Sequence, residues 1–336
     1  MIKSQNKLVT VIIPTFKRAD ELKKALTSVL LQDFKSLDII IVDDNVQEEE
    51  SNKVKEICIN FEVNYIKNFR RKGGCGSRNS GILSTSSKYI AFLDDDDLWL
   101  ANKLEAQSTF LDRNSNYSAV YSSFYDYNFD ANMLRASETR KDLSHSDLLK
   151  GNCPASTSIV MVNRKLILEA GLFDENLPSF QDYDMWLRLT IIKPIGFLDK
   201  KLAIFTQHSG DRVSVNLKKR FQGLDLIICK WGKEIKKYNN ITRFVKKFKS
   251  VAYESNALAF TGNSYKKMIT FRVLSLIHNK YCLNCWKGLL VSLFGARIYY
   301  MLLRLKLRNT LVETKQISEY LKLIDNKSKQ LEITQN

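Results

Sequence analysis

Tyr89-Ile90-Ala91-Phe92-Leu93-Asp94-Asp95-Asp96-Asp97-Leu98-Trp99 carries an apolar strand pattern straight into four consecutive carboxylates. Four adjacent anions repel one another, and a solvated acidic tail would sit among polar residues. This run is instead clamped between Phe92-Leu93 and Leu98-Trp99, which places it at the edge of a core. Carboxylates there suit a hard divalent cation, Mg²⁺ or Mn²⁺, which takes oxygen ligands and bridges one or two carboxylates to substrate phosphates. On the run alone, an acidic turn closing a strand accounts for it equally well.

Upstream, Leu8 to Ile13 is a β-branched run ended by Pro14 and reads as a buried strand. After the loop Thr15-Phe16-Lys17-Arg18, Asp20 is expected to cap a helix whose Leu22, Ala25, Leu26, Val29 and Leu30 share one face. Leu37 to Val42 is a second strand, ending again in carboxylates, Asp43 and Asp44. Residues 51–60 read as a helix and 63–66 as a strand. Such alternation specifies a mainly parallel sheet with helices on both faces, an α/β fold.

Arg70 to Gly81 forms a glycine-rich basic loop that feeds a helix. Glycines let backbone approach a ligand, and bases beside a helix N-terminus attract anions. The loop is neither a dinucleotide fingerprint nor a P-loop: Asn79 stands where the former needs its third glycine, and no Gly-Lys-Ser/Thr follows. Beyond the acidic run, residues 101–111 read as a helix, 118–124 and 156–162 as strands, and 164–170 as a helix stopped by a left-handed Gly171. Phe180 to Leu189 reads as a helix with Asp182 in its first turn, a position as fit for a plain terminus charge as for a base. Two closing strands, 195–198 and 202–205, precede His208-Ser209-Gly210-Asp211-Arg212.

The 336 residues suffice for two domains or one large domain with an appendage. Lys+Arg of 52 against Asp+Glu of 36 leaves +16, an excess that favours anionic partners. Cysteines 58, 75, 153, 229, 282 and 285 have no disulfide-scaffold spacing, and Cys282-x-x-Cys285 lacks the second pair a zinc site would need. The first residues lack the apolar core of a signal peptide, so a cytoplasmic setting is expected. From about Asn216 the chain turns helical and basic, and a soft boundary is placed there, giving 1–215 and 216–336. Trp286 to Arg304 is the most apolar stretch; Lys287 and Arg297 interrupt it, leaving an interfacial helix on an anionic bilayer or a helix packed on its own protein.

Three acidic clusters at or after strands, Asp43-Asp44, Asp94 to Asp97 and Asp182, are the informative set, because α/β sheets bind ligands at the carboxyl edge of their strands. A nucleic-acid-binding protein would explain the charge but not the carboxylates, which repel phosphates. A metal-dependent nucleotidyltransferase would use Asp94 to Asp97 but leaves Asp182 and Trp186 without a role.

In order, Val11 to Arg18, Ile41-Val42-Asp43-Asp44-Asn45, Gly74 with Arg78-Asn79-Ser80-Gly81-Ile82, Phe92 to Trp99 and Gln181 to Arg188 resemble the motifs of family 2 glycosyltransferases with the GT-A fold, over roughly residues 7–215. The resemblance implies an inverting transfer of sugar from a nucleoside diphosphate sugar, UDP-linked in expectation, to a saccharide or polyprenyl-diphosphate-linked acceptor in surface polysaccharide synthesis. It implies that Pro14, Thr15, Phe16, Arg18, Asp43, Asp44, Gly74, Arg78, Asp94 and Asp95 meet the nucleotide sugar, with Asp44 on the base and Asp43 on the nucleotide. Asp96 and Asp94 would hold Mn²⁺ or Mg²⁺, and Asp182 would be the base. His208 would be a further metal ligand, with Gln181, Trp186 and Arg212 on the acceptor or diphosphate side. Two departures stand out: Gln181-Asp182 replaces the commoner Glu-Asp, and Asp44-Asn45-Val46 lacks the usual glycine. The family's usual work, with the basic apolar C-terminal region, implies an enzyme peripheral to the inner face of the cell membrane, with no nucleic acid partner.

Overall fold

The structure, a computed structural model, describes residues 7–128, 133–137, 140–207, 216–259, 265–280, 283–293 and 311–333. His208 and Arg212 lie outside them, as does 294–310, which takes in the second half of the apolar C-terminal stretch.

Strands β1 (Val9–Thr15), β2 (Leu37–Asp43), β3 (Asn64–Lys67) and β4 (Tyr89–Phe92) pair in parallel in the order β3-β2-β1-β4. Their side chains are buried on both faces in β1 and β4, as the near-continuous Val/Ile runs require when helices cover both sides. The connecting helices are α1 (Ala19–Leu30), α2 (Glu48–Asn60) and α3 (Gly74–Leu83). Arg18, with no side-chain cap, occupies the N-cap of α1, so Asp20 is a first-turn charge rather than the cap. Helix α3 starts inside the glycine run, and Gly81 lets it lie on β1: a Cβ there would come within 2.5 Å of Ile12 Cγ2.

After β4 the sheet becomes mixed. The acidic run makes the turn from β4 into β5 (Asp97–Trp99), closed by Asp97 N–H donating to the Asp94 carbonyl at 3.1 Å. Helix α4 (Lys103–Arg113) follows, then β6 (Ala119–Asn128), which forms a hairpin with β7 (Met133–Ala136). The short α5 (His145–Leu149), β8 (Val160–Asn163), α6 (Arg164–Glu169) and α7 (Gln181–Ile192) lead to β9 (Ile195–Gln207), one long strand with a register shift where two short ones were expected. Strand β8 joins β4 to β6 antiparallel, and β9 runs parallel to β6 and antiparallel to β5. Gly171, at φ +87°, stops α6 as predicted.

Helices α8 (Leu217–Tyr238), α9 (Ile241–Ala259), α10 (Tyr265–His278), α11 (Leu283–Leu293) and α12 (Leu311–Ile333) follow among the described residues. Two of them belong to the main core, because Leu224, Ile227, Trp231 and Ile235 of α8 and Phe244 and Phe248 of α9 are buried in the same cluster as the sheet. A charged knot ties α7 to α8: the fully buried Asp184 accepts from Arg188 Nε and Trp231 Nε1, each at 2.9 Å, and pairs with Lys230 Nζ at 2.8 Å. Satisfying that carboxylate three times is what makes its burial tolerable. Helix α12 covers the other end of the sheet, where Ile317, Leu321 and Ile324 pack with Leu98, Tyr125, Tyr127 and Ile204, and Tyr320 donates to the Trp99 carbonyl at 2.7 Å. Among the described residues no helix is long and apolar enough to cross a membrane.

Candidate active site

The carboxyl ends of β1, β2 and β4 face one cleft of about 730 Å³, which α3, α7, α8 and the β6–β9 edge also line. Loops at strand ends bring distant residues together here because the sheet places all those ends on one edge.

Pro14, Thr15, Phe16, Arg18, Asp44, Gly74, Arg78 and Asp94 to Asp97 line the cleft on one side. Gln181 and Asp182 reach it from the first turn of α7. Asp44 accepts from Asn68 Nδ2 at 2.6 Å and from Gly73 N–H at 2.8 Å, so it pins the entrance of the glycine loop. Gly73 sits at φ +118°, a conformation that L side chains rarely adopt, and this lets α3 begin facing the cleft.

Two expected contacts lie elsewhere. Asp43 is wholly buried behind the cleft, where it accepts from Lys67 Nζ, Tyr65 OH and Asn45 N–H, each at 2.8 Å. Burial pushes its carboxyl up, but those donors outweigh it and hold the group below its ordinary value. Trp186 is wholly buried too, edge-on to Phe173 with ring centroids 6.2 Å apart. One turn past Asp182 on the same side of α7, it packs into the core against Phe173 and does not line the cleft, which only the first turn of the helix reaches.

The acidic run is held by cations and hydroxyls. Arg18 Nη1 lies 2.7 Å from Asp96 Oδ2 and 3.2 Å from Asp95 Oδ1. Thr15 Oγ1 donates to Asp95 Oδ2 at 2.9 Å, and Arg78 Nη2 donates to Asp94 Oδ1. Ser158 Oγ accepts from Asp94 N–H at 3.1 Å, and Thr206 Oγ1 donates to the Asp96 carbonyl at 2.5 Å. Burial, with the Asp96 charge beside it, pushes Asp95 up to about 7 against the opposing pull of Arg18 and Thr15.

An oxygen-only donor set matches what Mg²⁺ and Mn²⁺ take. Among the described residues no group of three or more His, Cys, Asp or Glu side chains forms a cation cage. One or two carboxylates with substrate phosphates supplying further oxygens is the usual arrangement for Mg²⁺, so Asp94 and Asp96 fit such an ion in combination with a diphosphate.

Asp182 is half-buried, and burial pushes its carboxyl above the ordinary value, opposed by the Tyr183 N–H and by the charges of Arg78 and Arg220. A carboxylate tuned upward by its surroundings is a better proton acceptor near neutrality. Phe180, at φ 61°, turns the chain so that α7 begins at the cleft wall.

Arg220 of α8 is a cleft residue that sequence reasoning missed. Its signal was present: 220, 224, 227 and 231 follow helical spacing, so Arg220 shares the buried face of Leu224, Ile227 and Trp231. Phe124 and Phe205, stacked at 4.2 Å, and the Asp126–Arg135 pair at 3.4 Å line the far side; no local motif marks them.

Residues 10–170 match the family model described as Glycosyl transferase family 2. An uncharacterized glycosyltransferase of Rickettsia conorii is 31% identical over 211 residues, 60% of this chain and 34% of its own. The chain thus spans about a third of the length of that curated relative. The Escherichia coli protein named UDP-Glc:alpha-D-GlcNAc-diphosphoundecaprenol beta-1,3-glucosyltransferase WfgD is 29% identical over 182 residues, 54% of this chain and 69% of its own. In fold, the chain resembles S. aureus TarS 1-349 in complex with UDP-GlcNAc, at TM-score 0.53 and 16% identity over 96% of this chain and 91% of that one. It also resembles the mannosyltransferase PcManGT from Pyrobaculum calidifontis in complex with GDP-Man and Mn2+, at TM-score 0.53 and 12% identity over 89% and 88%. These likenesses establish the fold, a mixed sheet flanked by helices with a helical C-terminal region, which is the GT-A arrangement. Over residues 10–170, the part that carries the cleft's acidic turn and glycine loop, the chain matches glycosyltransferase family 2.

Proposed function

We propose that this glycosyltransferase moves a sugar, a hexose or N-acetylhexosamine, from a UDP-sugar to a hydroxyl of a saccharide or lipid-linked oligosaccharide, with inversion. The observation that carries the reading is the sharing of one cleft by Asp182 and the Asp94 to Asp96 run, with the charges of Asp94 and Arg78 both felt at Asp182. Support comes from the names of its relatives: a TarS complex with UDP-GlcNAc and an E. coli relative named for transfer to a diphosphoundecaprenol-linked sugar.

In this reading Asp44 and the Gly73–Gly74 turn face the base, while Arg18 and Arg78 carry positive charge to the diphosphate. Asp96, with Asp94, would hold Mn²⁺ or Mg²⁺, which when bound neutralises charge on the departing nucleoside diphosphate. Asp182 accepts the acceptor hydroxyl's proton as that oxygen attacks the anomeric carbon from the face opposite the diphosphate, so one carboxylate suffices for a single displacement. Gln181, whose Nε2 donates to the Leu177 carbonyl at 3.0 Å, adds no second negative charge beside the base.

The division proposed for the chain is a catalytic domain over 1–215 and a helical region over 216–336 that serves the acceptor side. The proposed setting is the cytoplasmic face of the cell membrane, where the net +16 would favour an anionic surface. Incubating the protein with a panel of nucleotide sugars, with and without Mn²⁺, tests the reading: metal-dependent release of UDP from one donor supports it, and no consumption of any donor would refute it.

A further inference from the structure

Two close approaches seat a cation beside the proposed base. Gly223 brings α8 onto the loop before α7, since a Cβ there would stand 2.1 Å from Ser179 Oγ and 2.8 Å from the Ser179 carbonyl oxygen. One turn earlier, Arg220 lies over the Phe180 ring, its Cζ 5.3 Å from the centroid. Phe180 is fixed from its other sides by Phe248 and Tyr183, with centroids at 5.2 and 6.4 Å. Arg220 Nε is buried and has no hydrogen-bond partner among the described residues, although the side chain lines the cleft. A buried guanidinium N–H without an acceptor costs stability unless a ligand supplies one.

Two further cations hold the backbone segment 151–153. Lys247 Nζ donates to the Gly151 carbonyl at 2.9 Å and lies 3.3 Å from Asn152 Oδ1, while Arg140 Nη1 donates to the Cys153 carbonyl at 2.6 Å. The charges of Asp182, Arg140, Lys247 and Arg220 all act on the half-buried Cys153 thiol. Asp182 alone supplies negative charge among them.

We infer that Arg220, backed by Lys247 and Arg140, is a subsite for a phosphate attached directly to the acceptor sugar, so that the acceptor is a glycosyl phosphate or diphosphate rather than a neutral glycan. The inference rests on the transferase reading and deepens it. Arg220 has neighbours on the Asp182 side, Phe180 and Asp182 itself, whereas Arg18 and Arg78 attend the acidic run. The cations are thereby divided between two anions: Arg18 and Arg78 serve the departing diphosphate, and Arg220 serves the phosphate of the incoming acceptor. Guanidinium suits this task because its planar donors match phosphate oxygens.

The test is calorimetry on protein saturated with UDP and Mn²⁺, titrated with N-acetylglucosamine 1-phosphate. Saturable binding is expected in the wild type, weakened at least about tenfold in Arg220→Gln and less in Arg220→Lys, with UDP affinity unchanged in both. Thermal melting confirms that each variant folds. The inference is overturned if UDP-loaded wild type shows no binding of the glycosyl phosphate, if Arg220→Gln binds it equally well, or if Arg220→Gln weakens UDP instead. Failure of UDP to bind the wild type would overturn the transferase reading itself.

Discussion

Arg18 Nη1 sits 2.7 Å from Asp96 Oδ2, so the carboxylate proposed to hold a metal is already paired with a cation of the same chain. Any divalent ion has to share Asp96 with that guanidinium or displace it. Arg18→Gln should therefore lower the melting temperature of the metal-free protein, by the equivalent of about 1–2 kcal/mol, because Asp95 and Asp96 lose a charged donor. It should also enlarge the stabilisation given by Mn²⁺. Melting curves with and without Mn²⁺ check both, and an unchanged Mn²⁺ response would show that Arg18 and the metal do not compete.

Asp182→Asn keeps the shape of the first turn of α7 but removes the proton acceptor. UDP binding should be retained while turnover falls about 10²–10⁴-fold. Calorimetry and steady-state kinetics on the same preparation separate the two, and unimpaired turnover would remove Asp182 as the base.

Asp43 makes an opposite prediction although it adjoins Asp44. Its carboxylate is spent on Lys67, Tyr65 and the Asn45 N–H, out of the cleft. Asp43→Ala should cost about 2 kcal/mol or more of stability, by stripping charge-assisted hydrogen bonds. Asp44→Ala should cost UDP affinity instead. Urea melts paired with UDP titrations distinguish these, and a stable Asp43→Ala protein that no longer binds UDP would contradict the assignment.

Lys103 is wholly buried, 4.4 Å from the Trp99 ring centroid and hydrogen-bonded to Gln107 Oε1. Burial holds its ammonium well below the ordinary 10.5. Between that depressed value and 10.5 the unfolded chain binds a proton that the folded one does not, so the lysine's contribution to stability rises with pH and is lost as pH falls. Relative to Lys103→Met, the wild type should gain stability from pH 7 to 10, with a slope approaching about 1.4 kcal/mol per pH unit. Parallel denaturant melts across that range check the sign, and a flat or falling difference would mean that Lys103 is charged in the fold.

The first four strands, the helices between them and the acidic turn were legible because each announces itself locally, by a β-branched run, a single-face helical spacing or a carboxylate at a strand end. The antiparallel half was less so. Among the described residues strand β7 pairs only with β6, and β9 passes through Asp199-Lys200-Lys201, polar residues that break the apolar pattern while the strand continues across a register shift. Thr15, Arg18, Asp44 and Asp94 to Asp96, carried by strand ends, line one cleft. Trp186 does not, because one turn deeper along the same side of α7 the helix already packs on the core at Phe173. Arg220 was hidden for the complementary reason: in Leu217-Lys218-Lys219-Arg220 the charge reads as a solvated face, and only its phase with Leu224 and Ile227 turns it inward.

The most direct test of the account is release of UDP from UDP-sugars in the presence of Mn²⁺ by the wild type and by Asp96→Ala. Metal-dependent release by the wild type and its loss in a folded Asp96→Ala protein is the predicted result. Release that needs no metal and persists in Asp96→Ala would contradict the central claim that the acidic turn between β4 and β5 holds the leaving diphosphate.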